Sequence, residues 1–244
     1  MKFYLKLITA NFLHWINTVM RIKKFKVINR DGIKRVDTVP HELILRLKNS
    51  ISKIDRKEIK VWESEDKADC RIFGVETIVP EVYEVASFLN MEELGKEFYG
   101  TSDLAWFCMH GQIKSSEDSQ GSGGGWHRDS IFRRQLKIIV YLSNADKNNG
   151  CFQYILQSNR TKNILDVKRI LGHESHRYTP SEIEEACRVG ELKIINCIGA
   201  AGDSILVDTR GIHRGMPLVI GEREAITFYM YPRVIPNHMV DELQ

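Results

Sequence analysis

The 244-residue sequence has few cysteines and little excess charge, which excludes several classes of protein. No two cysteines form a CxxC pair and their number is odd, so neither a disulfide scaffold nor a cysteine-rich zinc site is expected. Isolated cysteines favour a reducing, cytoplasmic setting. The net charge of +3 is too small to indicate nucleic-acid binding, and no basic stripe alternates with aromatic residues. We therefore expect no nucleic-acid partner.

The sequence also has no uninterrupted apolar run long enough to cross a membrane. Within residues 1–26, apolar side chains recur every three or four positions, which predicts an amphipathic helix with lysines near both ends. We expect this helix to pack on the rest of the chain. The alternatives are a dimer contact and contact with the inner face of a membrane, which would make the protein peripheral. The oligomeric state is left open.

The character of the sequence changes near residue 104. Residues 27–103 read as mostly helical, with helices expected after Pro40 and Pro80. In residues 104–244, short β-branched and aromatic runs separated by turn signals predict strands at 104–109, 136–142, 151–156, 192–198, 204–207 and 225–231. We expect a helical insertion near 163–188. The sequence thus predicts an α+β chain with a mainly β core, a sandwich or jelly roll, in which the parts 1–26, 27–103 and 104–244 form one integrated domain.

One segment carries a metal-binding pattern, WHRDS at residues 126–130. In a strand, His127 and Asp129 point to the same face and Arg128 points to the opposite one. His213 follows the predicted strand at 204–207. Two histidines and one carboxylate form the facial triad that holds non-haem iron(II) and leaves positions open for a co-substrate and dioxygen. A histidine and an aspartate at this spacing also arise often by chance, so the pair alone does not establish the site.

An arginine beyond the triad strengthens this interpretation. Arg223 lies at the start of the predicted strand at 225–231, where its guanidinium fork can bind a carboxylate through two hydrogen bonds. The alternative is an ordinary surface charge beside Glu222 and Glu224. Together with His213, Arg223 favours a metal site that also binds a carboxylate over a chance occurrence of the His127 and Asp129 pair.

Four ordered segments resemble the phytanoyl-CoA dioxygenase family of 2-oxoglutarate-dependent oxygenases. The resemblance covers roughly residues 104–232, and the set is specific although each segment alone is not. The segments are WHRD at 126–129, YLSNADKNNG at 141–150, GDSILVD at 202–208 with His213 behind it, and Arg223 leading into 225–231.

The resemblance implies a fold, a ligand set and a reaction. The fold is a double-stranded β-helix, a form of jelly roll. Iron(II) would be held by His127, Asp129 and His213, Arg223 would bind the distal carboxylate of 2-oxoglutarate, and Gln112 is similar in place to an amide that contacts the co-substrate. With dioxygen as second co-substrate, the products would be succinate, carbon dioxide and a hydroxylated small molecule. Halogenating relatives replace the aspartate by a small residue, so Asp129 favours hydroxylation.

The sequence departs from the family pattern at two places and carries one distinctive loop. Residues 156–159 read LQSN where relatives often have Pro-Gly-Ser-His, and Ala225 stands where many relatives have a serine. The first segment therefore lacks the turn sequence of those relatives, and one hydrogen bond to the co-substrate must come from elsewhere or be absent. The glycine-rich stretch at 115–125 is expected to be a flexible loop, and its place before the ligands allows a second role as a mobile lid.

The substrate is not specified by the sequence. Basic residues near the ligands would form an electropositive rim for a phosphate, a carboxylate or coenzyme A, although about half of them should face solvent. Arg133, Lys137 and Arg214 are the candidates for substrate contact, and Arg128 should point away from the metal. A glycan or lipid-linked substrate would accompany membrane contact by residues 1–26, and a soluble metabolite would accompany its absence.

Two other functions compete with this one. A metal-dependent enzyme on a similar barrel that needs no 2-oxoglutarate would have no use for Arg223. A non-catalytic binding protein would have no structural need for three inward polar ligands.

Overall fold

The computed structural model describes residues 26–116 and 120–243, in which two antiparallel sheets enclose a cavity. The larger sheet has the strand order β1-β10-β6-β12-β4-β3-β2 and the smaller one the order β8-β5-β11-β7-β9. This arrangement confirms the predicted jelly roll. The strands in chain order are β1 (Ile33–Val36), β2 (Val61–Glu63), β3 (Asp69–Phe73), β4 (Leu104–Lys114), β5 (Trp126–His127), β6 (Leu136–Tyr141), β7 (Phe152–Ile155), β8 (Arg177–Tyr178), β9 (Ile194–Cys197), β10 (Ser204–Asp208), β11 (His213–Gly215) and β12 (Glu222–Pro232).

Helices cover the outer face of the larger sheet and connect strands of the smaller one. They are α1 (Lys26–Asp31), α2 (His41–Ile51), α3 (Glu81–Phe88), α4 (Met91–Tyr99), α5 (Thr161–Leu171), α6 (Pro180–Gly190) and α7 (Asn237–Leu243). Helices α2 and α3 begin directly after Pro40 and Pro80, as the sequence predicted. Helix α6 begins with a capping box, in which Thr179 accepts a hydrogen bond from the backbone N–H of Glu182 and its own N–H donates to the Glu182 carboxylate.

The main core lies between the larger sheet and the helices. Ile226, Phe228 and Met230 of β12 point into it and are at most 1% exposed. Leu43, Ile44 and Leu47 of α2 belong to the same cluster. Because side chains alternate along a strand, the residues between these on β12 face the other way, towards the space between the sheets. The packing of the core therefore fixes which side chains reach the cavity.

The N-terminal part contributes strands that the sequence analysis did not predict. Strand β1 pairs with β10, and β3 pairs with β4, so residues before 104 extend both edges of the larger sheet. These strands are short and carry charged residues, for example Lys34 and Arg35 in the four-residue β1, so they lack the apolar pattern of a buried strand. The expected insertion near 163–188 is the pair α5 and α6 with β8 between them.

All five cysteines lie among the described residues. Each cysteine is a free thiol, as its isolated position indicated. Within residues 26–116 and 120–243, no helix has the length and apolar character needed to cross a bilayer. The amphipathic helix predicted for residues 1–26 lies outside the described residues except at its end, so its packing or membrane contact stays a prediction.

Candidate metal centre

The three predicted metal ligands come together where β5 and β11 lie side by side. His213 is the antiparallel partner of His127, and the centroids of the two imidazole rings are 4.3 Å apart. Asp129 follows β5, and its backbone N–H donates to the carbonyl of Thr209 (3.1 Å), which anchors that turn beside the end of β10. One donor atom from each of the three residues lies within 4.8 Å of the others. This is the spacing of a facial triad around one ion.

Backbone carbonyls orient both imidazoles towards a common point. Nδ1 of His127 lies 2.9 Å from the carbonyl oxygen of Gly125, and Nδ1 of His213 lies 2.9 Å from that of Gly211. A hydrogen bond to a carbonyl requires the proton on Nδ1, so Nε2 carries the free lone pair. The two Nε2 atoms lie 3.6 Å (His127) and 3.8 Å (His213) from Oδ1 of Asp129. The three free donors therefore face one another.

The electrostatics of the site keep each ligand in its metal-binding form. Burial lowers the pKa of His127 and lowers the pKa of His213 to about 3, so both rings are neutral at ordinary pH. Burial alone would favour the protonated carboxyl of Asp129. The Lys137 ammonium, 2.7 Å from its Oδ2, nevertheless holds the pKa of Asp129 below its usual range. Neutral imidazoles and an ionised carboxylate are the forms that bind metal ions.

The predicted carboxylate-binding arginine lies in the same cavity. Arg223 is 6% exposed, and its Nη1 has no hydrogen-bond partner among the described residues. Burial lowers the pKa of this guanidinium, since a cation loses hydration in the interior. An unpartnered buried cation is unfavourable unless an anion pairs with it. The orphaned N–H groups of Arg223 therefore fit the distal carboxylate of a 2-oxo acid.

The cavity between the sheets has a volume of about 1800 Å³. Alternate residues of β12 line it from one end to the other, beginning at Arg223 and ending at Tyr231. From β6 it receives Lys137, Ile139 and Tyr141. The metal ligands lie on the opposite wall, formed by the smaller sheet.

The described part of the glycine-rich loop, residues 120–125, covers the histidine side of the site. Gly215 N–H donates to the Ser122 carbonyl (3.1 Å), and Arg177 donates through Nη1 to the Gly123 carbonyl (2.7 Å). Gly123 has φ +85°, and a Cβ atom there would collide with the ring of His127. Only glycine lets the loop lie this close to the ligand. Its role as a mobile lid stays a prediction.

Two of the predicted binding residues point away from the cavity. Gln112 donates through Nε2 to Glu222 (3.0 Å), whereas its neighbours Gly111 and Ile113 line the cavity. Arg214 donates through Nε to Gln153 (2.7 Å) and lies over the Trp126 ring, on the face of β11 opposite His213. Strand alternation is the physical reason in both cases, so neither Gln112 nor Arg214 is placed to bind the co-substrate or a substrate.

The other basic residues around the ligands have distinct positions. Arg133 is exposed at the cavity rim, and Lys137 lies inside it against Asp129. The guanidinium of Arg128 points behind the site, as expected, where Nη1 donates to the carbonyls of Ser158 (2.5 Å) and Arg210 (2.6 Å). Arg128 thus ties together the loops that follow β7 and β10.

The segment that departs from the family pattern, residues 156–159, has a structural role. Ser158 Oγ donates to the Ile155 carbonyl (2.6 Å) and accepts from the Ile212 N–H (2.7 Å), next to His213. Asn159 donates through Nδ2 to the buried carboxylate of Asp208 (3.1 Å). The turn therefore supports the strand end that carries the second histidine.

An aromatic group at the far end of the cavity was not predicted. Tyr229 stacks on Phe107 with ring centroids 4.6 Å apart, and Tyr231 stacks on the same ring at 6.3 Å. Tyr229 and Tyr231 share the inward face of β12 with Arg223. Reading that strand two residues at a time from Arg223 would have indicated both tyrosines.

The fold and the donor set define a jelly-roll protein with a facial-triad metal site. The sequence model of the phytanoyl-CoA dioxygenase family (PhyH) matches residues 33–218, which is most of the chain. The chain belongs to the phytanoyl-CoA dioxygenase family. The His–Asp–His donor set, and Arg223 with its Nη1 unbonded among the described residues, fit the iron and 2-oxoglutarate of this class of oxygenase. Comparison with curated proteins gives no match.

Several solved structures share this fold. The alpha-ketoglutarate-dependent carbocyclase SnoK from nogalamycin biosynthesis has a TM-score of 0.65 at 12% identity, covering 93% of each chain. The epimerase SnoN in complex with Fe3+, alpha ketoglutarate and nogalamycin RO has a TM-score of 0.58 at 16% identity, covering 84% of this chain and 80% of SnoN. EctD from S. alaskensis with bound Fe has a TM-score of 0.62 at 16% identity, covering 86% and 76%. At these identities the likeness establishes the fold.

Proposed function

We propose that this protein is an iron(II)- and 2-oxoglutarate-dependent dioxygenase that hydroxylates an anionic small molecule. One observation carries the proposal. Nε2 of His127, Oδ1 of Asp129 and Nε2 of His213 converge in a cavity that also holds the guanidinium of Arg223, whose Nη1 has no hydrogen-bond partner among the described residues. A metal enzyme that uses no 2-oxo acid, or a non-catalytic barrel, would gain nothing from this buried, unpaired cation.

The chain's own residues would bind and orient the reactants. His127, Asp129 and His213 would hold the ion from the smaller-sheet side of the cavity. Arg223 would hold the distal carboxylate of 2-oxoglutarate through paired N–H groups. When bound, iron(II) with dioxygen and 2-oxoglutarate supplies the oxidising power that converts C–H to C–OH; one oxygen atom enters the product, the other enters succinate, and carbon dioxide leaves.

Hydroxylation is the reaction we favour among those open to this fold. Asp129 is the third protein ligand, the carboxylate that halogenating relatives replace with a small residue. The similar structures include a carbocyclase and an epimerase, so a ring closure, a desaturation or an inversion is the alternative product chemistry. Product mass separates these outcomes, because only hydroxylation adds one oxygen atom to the substrate.

The charge of the cavity supports an anionic substrate. Among the described residues that line it, eight are arginine or lysine and four are aspartate or glutamate. Of the eight, Arg128 points behind the site and Arg134 is paired with the buried Asp208. Arg71 and Lys137 are paired with Asp69 and Asp129, whereas Arg133 is exposed at the rim. A phosphate, a carboxylate or a coenzyme A ester would meet a positive potential there. We propose Arg133 as a contact for such a group.

Succinate formation tests the proposed function. Purified protein with iron(II), dioxygen and 2-oxoglutarate should release succinate faster when a substrate is present. The assay should cover a panel of acyl-CoA esters, sugar phosphates and amino acids, with glycan and lipid-linked anions as a separate arm. His213→Ala, which lacks one ligand, is the control. Substrate-independent succinate at equal rates in both proteins, or none in either, would contradict the proposal.

A further inference from the structure

We infer that Lys137 is a positioning residue that keeps Asp129 bound to the metal through one oxygen only, and so reserves a coordination position for the co-substrate. This inference rests on the proposed iron- and 2-oxoglutarate-dependent function. It assigns Lys137 a role towards the metal ligand in place of the substrate contact that its sequence position suggested.

The two oxygens of Asp129 face different partners. Oδ1 points to the histidines, 3.6 Å from Nε2 of His127 and 3.8 Å from Nε2 of His213. Oδ2 lies 2.7 Å from Nζ of Lys137. Each histidine has its second nitrogen fixed by a backbone carbonyl, and Lys137 is the equivalent partner for the carboxylate. Every ligand of the triad thus has one group that fixes its orientation.

The ammonium of Lys137 is itself fixed in place. Its Nζ lies 4.1 Å above the ring of Tyr229, which is its register partner on β12, and Phe107 stacks on that ring at 4.6 Å. The Lys137 side chain is only 11% exposed. A buried ammonium that left Asp129 would lose its counter-charge without gaining full hydration. The aromatic stack and burial therefore hold the lysine on Oδ2.

A carboxylate ligand binds a cation through one oxygen or through both. If Oδ2 of Asp129 were free, it could fill one of the open positions that the 2-oxo acid and dioxygen need. The ammonium of Lys137, ion-paired with that oxygen, competes with a cation for it and also withdraws electron density from the carboxylate. Lys137 should therefore weaken metal binding slightly while it strengthens binding of the 2-oxo acid. A residue that merely supports the fold would affect both affinities in the same direction.

Two dissociation constants measured on the full chain test this inference. Cobalt(II) is titrated first, because its visible absorption reports the number of ligands, and 2-oxoglutarate is then titrated into the cobalt-loaded protein. Lys137→Met should bind cobalt(II) at least as tightly as the wild type. It should bind 2-oxoglutarate about tenfold or more weakly, the effect of losing one strong contact. Lys137→Arg, which keeps a donor for Oδ2, should restore most of the 2-oxoglutarate affinity.

Arg133→Met is the matched control, because it removes a positive charge from the rim of the same cavity without touching Asp129. The contact proposed for Arg133 is with the substrate, which is absent from both titrations. The Arg133→Met substitution should leave both dissociation constants within about twofold, inside the usual effect of an exposed charge. Equal weakening of 2-oxoglutarate binding in Arg133→Met and Lys137→Met would mean that only the cavity charge matters, and would overturn the inference.

The outcomes separate this inference from the proposed function. A wild-type protein that binds neither cobalt(II) nor 2-oxoglutarate would refute both. If the wild type binds both and Lys137→Met loses metal affinity, about 10- to 100-fold for an ordinary outer partner, the role of Lys137 is refuted and the proposed function stands. Unchanged 2-oxoglutarate affinity in Lys137→Met would likewise refute the role of Lys137 and leave the proposed function standing. If Lys137→Met does not fold, Lys137→Gln decides by the same two constants.

Discussion

The two faces of strand β12 differ in whether their side chains have packing or hydrogen-bond partners. On the helix side, Ile226, Phe228 and Met230 are buried among other apolar residues of the core. On the cavity side, the same strand presents a buried arginine whose Nη1 has no partner among the described residues. The packed face contributes stability, whereas the cavity face leaves a charge in need of a ligand. A substitution on one face should therefore change stability, and one on the other face should change binding.

The inward and outward faces of the smaller sheet, which carries the metal site, differ in a similar way. Its inward residues His127 and His213 have neutral rings with free Nε2 atoms, and its outward Arg214 is already bonded to Gln153 and stacked on an indole. Arg223 on an inward face and Arg214 on an outward face therefore give a matched pair for experiment.

Removal of one metal ligand should have the largest effect. His213→Ala, and likewise His127→Ala, should abolish iron(II) binding, because the remaining donors no longer surround the ion. The measurement is a metal titration under anaerobic conditions, with circular dichroism to verify folding. A folded His213→Ala variant with wild-type iron affinity would remove this residue from the triad.

A cavity made on the packed face should lower stability without changing the site. Phe228 is fully buried with its ring 5.7 Å from that of Trp106, so Phe228→Ala should reduce the free energy of unfolding by about 3–5 kcal/mol. Denaturant melts give this number. Metal titration of the folded protein should give a wild-type dissociation constant, and a large change in that constant would show that the two faces are not independent.

The arginine pair tests the cavity face directly. Arg223→Ala should raise the 2-oxoglutarate KM roughly 10- to 150-fold, since a charged contact is worth about 1.5–3 kcal/mol. Arg214→Ala, on the outward face of its strand, should leave this KM nearly unchanged. Steady-state succinate assays of both variants make the measurement. Equal effects of the two substitutions would contradict the assignment of the inward face.

His110 of the neighbouring strand β4 is a buried polar residue on the same side as the packed face, and its substitution should give the smallest effect. Its ring nitrogens have no hydrogen bond among the described residues, and burial lowers the pKa of His110 to about 4 despite Glu224 at 4.0 Å. Between about pH 4 and the unfolded-state value near 6.5, the unfolded chain binds more protons, so stability falls as the pH falls.

His110→Leu should remove this part of the pH dependence. The loss of stability between pH 7 and pH 5 should be smaller than in the wild type by on the order of 1–2 kcal/mol. Denaturant melts of metal-free protein at the two pH values compare the variant with the wild type. An identical slope in the two proteins would mean that His110 does not titrate with unfolding.

The sequence predicted those features that depend on residue type and strand alternation. The jelly roll was predicted from apolar runs at 104–109 and beyond, and the convergence of His127, Asp129 and His213 from their spacing and family pattern. The outward turn of Arg128 was predicted by alternation alone. These predictions succeed because side chains alternate along a strand, so the order of the residues determines which of them share a face.

Other features depend on contacts between distant segments, which a single sequence does not show. Strand β1 has few apolar residues and becomes a strand by pairing with β10. Gln112 and Arg214 point away from the cavity because side chains alternate along a strand. The inward ligand His213 beside Arg214 already indicated this, whereas no inward residue was known on the strand of Gln112. Lys137 looked like a substrate contact, and only the structure shows its ammonium on Oδ2 of Asp129.

Anaerobic absorption spectroscopy tests the central claim most directly, because a 2-oxo acid chelated to iron(II) gives a visible charge-transfer band. The wild-type protein should show this band only when both iron(II) and 2-oxoglutarate are present. His213→Ala should show none, and Arg223→Ala should need a higher 2-oxoglutarate concentration to reach it. No band in the folded wild type, or an undiminished band in His213→Ala, would contradict the assignment of His127, Asp129, His213 and Arg223 as the binding site.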